Sequence, residues 1–454
     1  MSPELNSYED RMLYSTWNIT FSSIEQRNKL SANLVRFWAY LNKDDVWFEL
    51  LKQDIPNSPD WFRQLGDELC FTQAMRVLSQ FRLVEPNSWI AEPIETGGYS
   101  MHSCVHSWTV NVLNAERDNA LAKLAVQCIA SHVPRRGEPF WWITQGRLRL
   151  HAAQYPCDTI DKLSATDNLE YAMFRLANLA LDQDNLEAAE PLLERTLKLQ
   201  QTSRGLDDLA TLSTMNVMGA LRRRQTRFDE AHDSYTRVLG SAGSTTDEAV
   251  ACRLDAMYNL GCLHLYKDQP DEAERFFQQA QSAYEKAEGY EDKLFELDLL
   301  DYMGIVHRKL ARLDKAVKLH RKAVEGKTEL LGRGHMSTLD STVNLALALF
   351  WQQELGEAGK LLWNVCMGRV QALGSRHILT MDAFSLWDNV QFLSSNPKEA
   401  EKIPGMLERG ASGGVGSSGG EPDMCHVNFA AFFRFICRQR PGLRWHSLYK
   451  DPEL

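Results

Sequence analysis

Residues 102–106 read His-Ser-Cys-Val-His, and two histidines four apart could hold a metal ion from one helical face. The glutamate of an HExxH string is missing, so such a pair would lack its general base. Packing or helix capping is the alternative reading of the same two rings, and no metal site is expected. No GxxxxGK[ST] string occurs, which leaves no loop to cradle a nucleotide's phosphates. The nearest string, Gly356-Glu357-Ala358-Gly359-Lys360-Leu361, has the wrong spacing and no hydroxyl. No Ser-His-Asp or Cys-His arrangement can be placed among the 12 histidines, because chance pairings abound at that number. These absences lead to the expectation of a non-enzymatic chain without a bound cofactor. Charge offers a different chemistry. Arg222, Arg223, Arg224, Arg308 and Lys309 could attract an acidic segment. They could equally complement the negative ends of the helices that carry them. Tyr258, Tyr266 and Trp351 are candidate apolar contacts, or core between neighbouring elements.

The elements that would position these groups form a repeat. Ala189, Ala231, Ala273, Ala316 and Ala358 are 42, 42, 43 and 42 residues apart, and Ala400 extends the series. Twelve residues before each of the five stands Ala177, Gly219, Gly261, Gly304 or Ala346, and seven after stands Thr196, Val238, Ala280, Ala323 or Val365. Leu193, Tyr235, Phe277, His320 and Leu362 occupy the position four after each alanine. Small residues at fixed offsets let two helices cross closely and the next pair stack on them, which predicts a helix–turn–helix solenoid. The array is expected over 166–409, with a sixth unit degraded by Asp388 at the small position and by Pro404-Gly405 inside its second helix. Gly/Ser-rich residues 410–420 read as a linker, and 410–454 as linker and tail.

Residues 1–114 differ in composition. Six tryptophans fall between 17 and 108, and helices are expected over 25–41, 44–52, 66–80 (with Leu69, Ala74, Leu78 and Phe81 on one side) and 103–114. Two short strands are expected at 81–85 and 99–102, giving helices plus a β-wing, a winged-helix domain. Connecting helices fill 115–165, with Trp141 and Trp142 docking the first domain onto the array. The fold class is thus all-α apart from a small β-wing. A formal charge of −10 argues against nucleic acid or an anionic membrane, and helix 66–80 carries only Arg76 against Asp67 and Glu68. Nine cysteines without a CxxC pair, no secretory leader and no apolar run beyond 343–351 point to the cytoplasm.

The offsets of 12 and 7 resemble the tetratricopeptide repeat (TPR), and the 42-residue period resembles its kinesin-light-chain type. That type carries an LGxxHxxT turn, matched by Leu331-Gly332-Arg333-Gly334-His335-Met336-Ser337-Thr338 and again by Leu373-Gly374-Ser375-Arg376-His377-Ile378-Leu379-Thr380. Asn259-Leu260-Gly261 and Asn344-Leu345-Ala346 match its Asn-Leu-Gly/Ala signature. The resemblance implies a groove in which Asn259 and Asn344 hydrogen-bond the backbone of an extended peptide, while Arg175, Val217 and Tyr302 replace that asparagine elsewhere. The N-terminal Phe37-Trp38-Ala39-Tyr40-Leu41 and Asp45-Val46-Trp47-Phe48-Glu49-Leu50 resemble the winged-helix segment of fungal NLR-type signalling NTPases, which precedes repeats of this kind. Tyr99-Ser100-Met101-His102 resembles their Met-His element, with Ser103 where the acidic residue would stand. The resemblance makes His102 a relic of an ADP-sensing histidine. It implies an NTPase domain of NB-ARC or NACHT type that has been lost or is supplied by another chain.

The leading expectation is a protein-interaction and regulatory module in an NLR-like system, its groove lined by Tyr258, Asn259, Asn344, Arg223, Arg224, Arg308 and Lys309. The competing expectation is a kinesin-light-chain-like cargo or assembly adaptor, against which no N-terminal heptad segment for pairing is seen.

Overall fold

A computed structural model describes residues 8–395 apart from 53–54, 88–96, 135–137, 139–140, 164–168, 242–245, 288–290 and 376. The chain divides into two compact units, Met1–Leu206 and Asp207–Leu454. Twenty α-helices and three short strands make up the described elements.

The first unit opens with α1 (Tyr8–Arg27) and α2 (Lys29–Trp38). The single helix expected over 25–41 is therefore two, because Asn28 leaves the helical region and its side chain accepts the Ser31 N–H at 3.0 Å. Of the helix expected over 44–52, α3 (Phe48–Leu51) remains, and β1 (Val46–Trp47) stands where its first part was expected. Val46 and Trp47 are fully or almost fully buried, as suits a β-branched and an aromatic residue on a pleated strand. Next come α4 (Asp60–Leu65), not anticipated, and α5 (Glu68–Gln80), which Asp67 caps through the Cys70 N–H. Leu69, expected on the inner side, is 65% exposed; Phe71, Ala74, Met75 and Leu78 form the buried stripe. β2 (Val84–Pro86) and β3 (Gly98–Met101) pair antiparallel with Val84 opposite Met101, and β3 pairs with β1 to give the order β1-β3-β2. The chain then forms α6 (Ser103–Trp108), which widens into a π-helical turn over Thr109–Leu113.

α7 (Asn119–Ser131), α8 (Trp141–Ala152) and α9 (Cys157–Leu163) follow, then α10 (Glu170–Asp182) and α11 (Leu186–Ser203). The side chain of Trp142 lies outside the described residues. α8 is tied to the Asn42–Trp47 stretch through Arg147 and His151. Arg147 holds Asp45 with two hydrogen bonds of 2.7 Å, and the Asn42 N–H donates to His151 Nδ1 at 3.2 Å.

The second unit consists of helical hairpins: α12 (Leu209–Arg224) with α13 (Phe228–Leu239), α14 (Asp247–Tyr266) with α15 (Pro270–Lys286), α16 (Lys293–Lys309) with α17 (Leu313–Leu331), and α18 (Met336–Trp351) with α19 (Leu355–Leu373). α20 (Ile378–Ser394) is the first helix of the sixth unit, and Ala400, Pro404 and Gly405 lie outside the described residues. With α10 and α11 of the first unit, these are the five expected helix pairs. Ala189, Ala231, Ala273, Ala316 and Ala358 are all fully buried, as are Thr196, Val238, Ala280, Ala323 and Val365.

The hairpins interlock by volume. A Cβ added to Gly219 would lie 2.5 Å from the Tyr235 ring, one at Gly261 2.5 Å from Phe277, and one at Gly304 2.6 Å from His320. Where the small residue is alanine, at 177 and 346, the facing residue is Leu193 or Leu362. Ring against glycine and leucine against alanine keep the crossing filled in either case. The first helices of the five pairs also end alike. Asp184, Thr226, Asp268, Ala311 and Gln353 have φ between 55° and 67°, and the next N–H reaches back five residues, as from Asn185 to the Ala180 carbonyl at 2.8 Å. This is a Schellman closure made without glycine. Among the described residues no helix is long and apolar enough to cross a membrane, and the run 343–351 is buried in α18.

Candidate functional site

His102 is exposed and stands at the N-terminus of α6, where its Nδ1 accepts the Cys104 N–H at 3.3 Å. His106 turns the other way, its Nε2 3.1 Å from the Leu41 carbonyl, and burial lowers its pKa. No group of three or more potential metal ligands occurs among the described residues. The LGxxHxxT turns explain what such a histidine does locally. Gly332 and Gly374 take φ of 90° and 86°, where a side chain would be strained, and His335 and His377 then cap α18 and α20 by accepting the Ser337 and Leu379 N–H groups. His102 uses the same capping geometry. Its position in the fold thus has a structural reason that needs no nucleotide.

In the second unit the residues singled out for a groove separate into three kinds. Some are consumed by the core. Asn344 is 5% exposed, and its Nδ2 donates to Asp301 Oδ2 at 3.0 Å. Asp301 also meets His320 Nδ1 at 2.6 Å and accepts from Ser341 at 2.8 Å, while Lys327 donates to Ser341 and pairs with Asp298. Burial alone would raise the Asp301 carboxyl, but the hydrogen bond and charge of His320, with the charge of Lys327, bring it down to about 2. This aspartate, histidine and serine are not arranged for catalysis. The serine donates to the carboxylate rather than facing the imidazole, and His320 Nε2 is enclosed with no hydrogen-bond partner. Arg308 is 2% exposed and partnered.

Others are paired at the surface. Lys309 donates to Asp268 at 2.7 Å, and Arg222 donates to Ser234 at 2.8 Å with Glu230 3.6 Å away. Arg224 also has a partner.

The third kind stays available. Tyr258 and Asn259 on α14 are half-buried; Tyr258 packs edge-on against Tyr302 of α16 at 5.0 Å and against Phe277 at 5.9 Å. Asp255, one turn earlier on α14, is exposed. Partial desolvation by its neighbours raises its carboxyl, and the charge of Asp292 adds to this. Arg223 lies over the Tyr266 ring at 4.8 Å and has no carboxylate partner among the described residues. Residue type alone marked Arg223 and Tyr258 but could not separate them from the buried Arg308 or from Asn344, whose partner Asp301 is remote in sequence.

Residues 169–242 match one tetratricopeptide-repeat family model, and 253–292 and 297–335 match a second. A search of curated proteins gave no match. Among solved structures, the chain is similar to BtubC (BKLC) from P. vanneervenii at 14% identity over 53% of this chain and 96% of that one, with a TM-score of 0.39. It is also similar to a signal-transduction ATPase with numerous domains (STAND) and a tetratricopeptide repeat sensor from Pyrococcus horikoshii. Identity there is 14% over 99% of this chain and 64% of that one, with a TM-score of 0.45. TPR-like repeats of a kinesin light chain from Podosopora anserina are 18% identical over 44% of this chain and 93% of theirs, with a TM-score of 0.35. Tetratricopeptide repeats are interaction scaffolds, and this chain matches them over 169–242, 253–292 and 297–335.

Proposed function

We propose that this chain is a non-enzymatic interaction and regulatory module whose repeats bind a protein or peptide segment. The observation that carries the reading is the stripe Asp255, Tyr258 and Asn259 on α14, left exposed or half-buried in a unit whose other recurrent positions are closed. An aromatic ring, an amide and a carboxylate on one rigid helix suit a ligand with mixed apolar and polar contacts. In this proposal the N-terminal part, a winged-helix segment with the sheet β1-β3-β2 as its wing, couples ligand binding to an NB-ARC- or NACHT-type NTPase domain in another chain. The Phe37–Leu50 and Met101-His102 resemblance supports that half. A kinesin-light-chain-like adaptor is the second reading, favoured by the two LGxxHxxT turns and their capping histidines.

The test is a pull-down from native extract with the full chain and with a Tyr258→Ala/Asn259→Ala variant, each with and without ADP or ATP. Loss of the partner from the variant, with an NTPase recovered in a nucleotide-dependent way, is the expected result. Groove-dependent partners indifferent to nucleotide would move the reading to the adaptor, and partners indifferent to the variant would remove the groove from it.

A further inference from the structure

Position for position, the residue four after the small residue of each first helix is Leu181, Arg223, Leu265, Arg308 and Phe350. The apolar members of this series are buried at the hairpin seam, where a hydrocarbon side chain is the ordinary occupant. Arg223 departs from that pattern without a visible compensation. Its Nε is enclosed and has no hydrogen-bond partner, and its guanidinium lies over Tyr266 with Tyr235 and Tyr302 nearby. Tyr235 is fully buried, and its hydroxyl likewise has no hydrogen-bond partner. The Arg223 Nε and the Tyr235 hydroxyl, close enough to interact with each other yet each short of a well-formed hydrogen bond, share one missing complement: an acceptor with negative charge. The end of α12 supplies only a fraction of a charge. The Arg222 and Arg223 carbonyls there are already taken, by the Arg227 and Thr226 N–H groups.

We propose that Arg223 and Tyr235, walled by the Tyr266 and Tyr302 rings, form an oxyanion site that takes one carboxylate. The site is defined by its own donors and stands whether or not the repeats bind a peptide. The carboxylate comes either from a small organic acid or from an Asp or Glu side chain of a bound segment. In a chain of net charge −10, any preference for acidic ligands must come from such a local feature.

The test has two arms on the full chain, each comparing wild type with Arg223→Leu and with Tyr235→Phe, which keeps the ring against Gly219. In the first, thermal midpoints are measured in sodium acetate and in sodium chloride at equal ionic strength. Acetate is expected to raise the wild-type midpoint by several degrees over chloride and to leave Arg223→Leu unmoved, with Tyr235→Phe between. Without acetate, Arg223→Leu is expected to melt above wild type, because it restores the residue type of the other repeats. In the second arm, a phage-displayed random dodecapeptide library is selected on each protein. Acidic residues enriched by wild type and not by Arg223→Leu would assign the carboxylate to a bound segment. Acetate stabilisation without such enrichment would assign it to a small acid. An Arg223→Leu variant that melts below wild type, with acetate and chloride equivalent and no acidic enrichment, would overturn the site. A selection that yields no binder while acetate still stabilises would count against the peptide groove and leave the oxyanion site standing.

Discussion

Among the arginines that lie over aromatic rings, Arg147 has its charge met by a carboxylate and Arg223 does not. In the first unit, Arg147 sits 4.0 Å above Trp47 and grips Asp45 with two hydrogen bonds of 2.7 Å, both side chains being largely buried. In the second, Arg223 sits 4.8 Å above Tyr266 with no carboxylate in the described residues to meet it. A bidentate pair closed over a ring is a device for holding one segment against another. The same cation left open is a device for waiting. Stacking alone therefore does not distinguish a structural arginine from a ligand-binding one; the occupancy of its fork does.

The closed arrangement makes the first unit sensitive to acid. His151 takes the Asn42 N–H on Nδ1 and faces the Asp45 carbonyl with Nε2, so only the neutral Nε2–H tautomer satisfies both. Burial lowers its pKa to about 4 despite the nearby Asp45. Burial does the same for His132, with Arg147 adding to it. A histidine with a depressed folded pKa binds its proton more readily when unfolded, so stability is lost as pH falls from about 6.5 to about 4. At roughly 1.4 kcal/mol per unit, each histidine should withdraw about 3 kcal/mol over that window. Urea unfolding at pH 7.5 and pH 5, followed by tryptophan fluorescence, should show the midpoint falling. Asp255 of the second unit acts in the opposite sense: its raised carboxyl weakens folding as pH rises above the ordinary carboxylate range, with a smaller effect because water reaches it. Breaking the pair itself comes next in size. Arg147→Met should cost about 3 kcal/mol by stranding the Asp45 carboxylate, and adding Asp45→Asn should return part of that. A double mutant no better than the single would mean that lost packing on Trp47, not the stranded charge, sets the cost.

A comparison among the repeats gives the next effect. Gly261 and Ala346 play one role at two sizes, set by Phe277 in one case and Leu362 in the other. Gly261→Ala drives a methyl into the Phe277 ring and should cost about 2 kcal/mol even though alanine is the better helix former. Phe277→Leu added to it recreates the pairing of the Ala346 hairpin and should recover most of the loss. If the double mutant in chemical denaturation is as weak as the sum of its parts, the volume argument fails.

What was legible in the sequence follows from this same volume rule. The alanine ladder and its partners at 12 before and 4 after could be read because close helix crossing admits few residue types; in the five helix pairs every one of those positions is buried, and in the degraded sixth unit Asp388 is exposed. β1 was misread because two residues carry no periodicity. Leu69 was misplaced because it stands five residues before Ala74, off the face that Phe71, Ala74, Met75 and Leu78 share at spacings of three and four. Asn259 and Asn344 look alike in the chain, yet Asp301, 43 residues before Asn344, draws that side chain inward. The ligand-facing positions depend on contacts between hairpins, and residue type alone does not reveal which donors those contacts will occupy.

The least legible feature is the turn that ends the first helix of each pair, because five positions with one backbone conformation carry Asp, Thr, Asp, Ala and Gln. Left-handed backbone costs a non-glycine residue about 1 kcal/mol or more, and aspartate, whose side chain can bond locally, pays least. A β-branched side chain is the worst tolerated there, so Thr226 at φ 60° holds the most strain to release. Thr226→Gly should stabilise the chain by about 1 kcal/mol, net of the added freedom glycine gives the unfolded state, and Asp268→Gly by distinctly less. Equal gains at both positions in urea titrations would mean that side-chain branching is not what separates them. The substitution would also leave the Arg227 N–H to Arg222 carbonyl bond in place. A gain at 226 therefore tests the turn alone and leaves the geometry of the neighbouring Arg223 as it was.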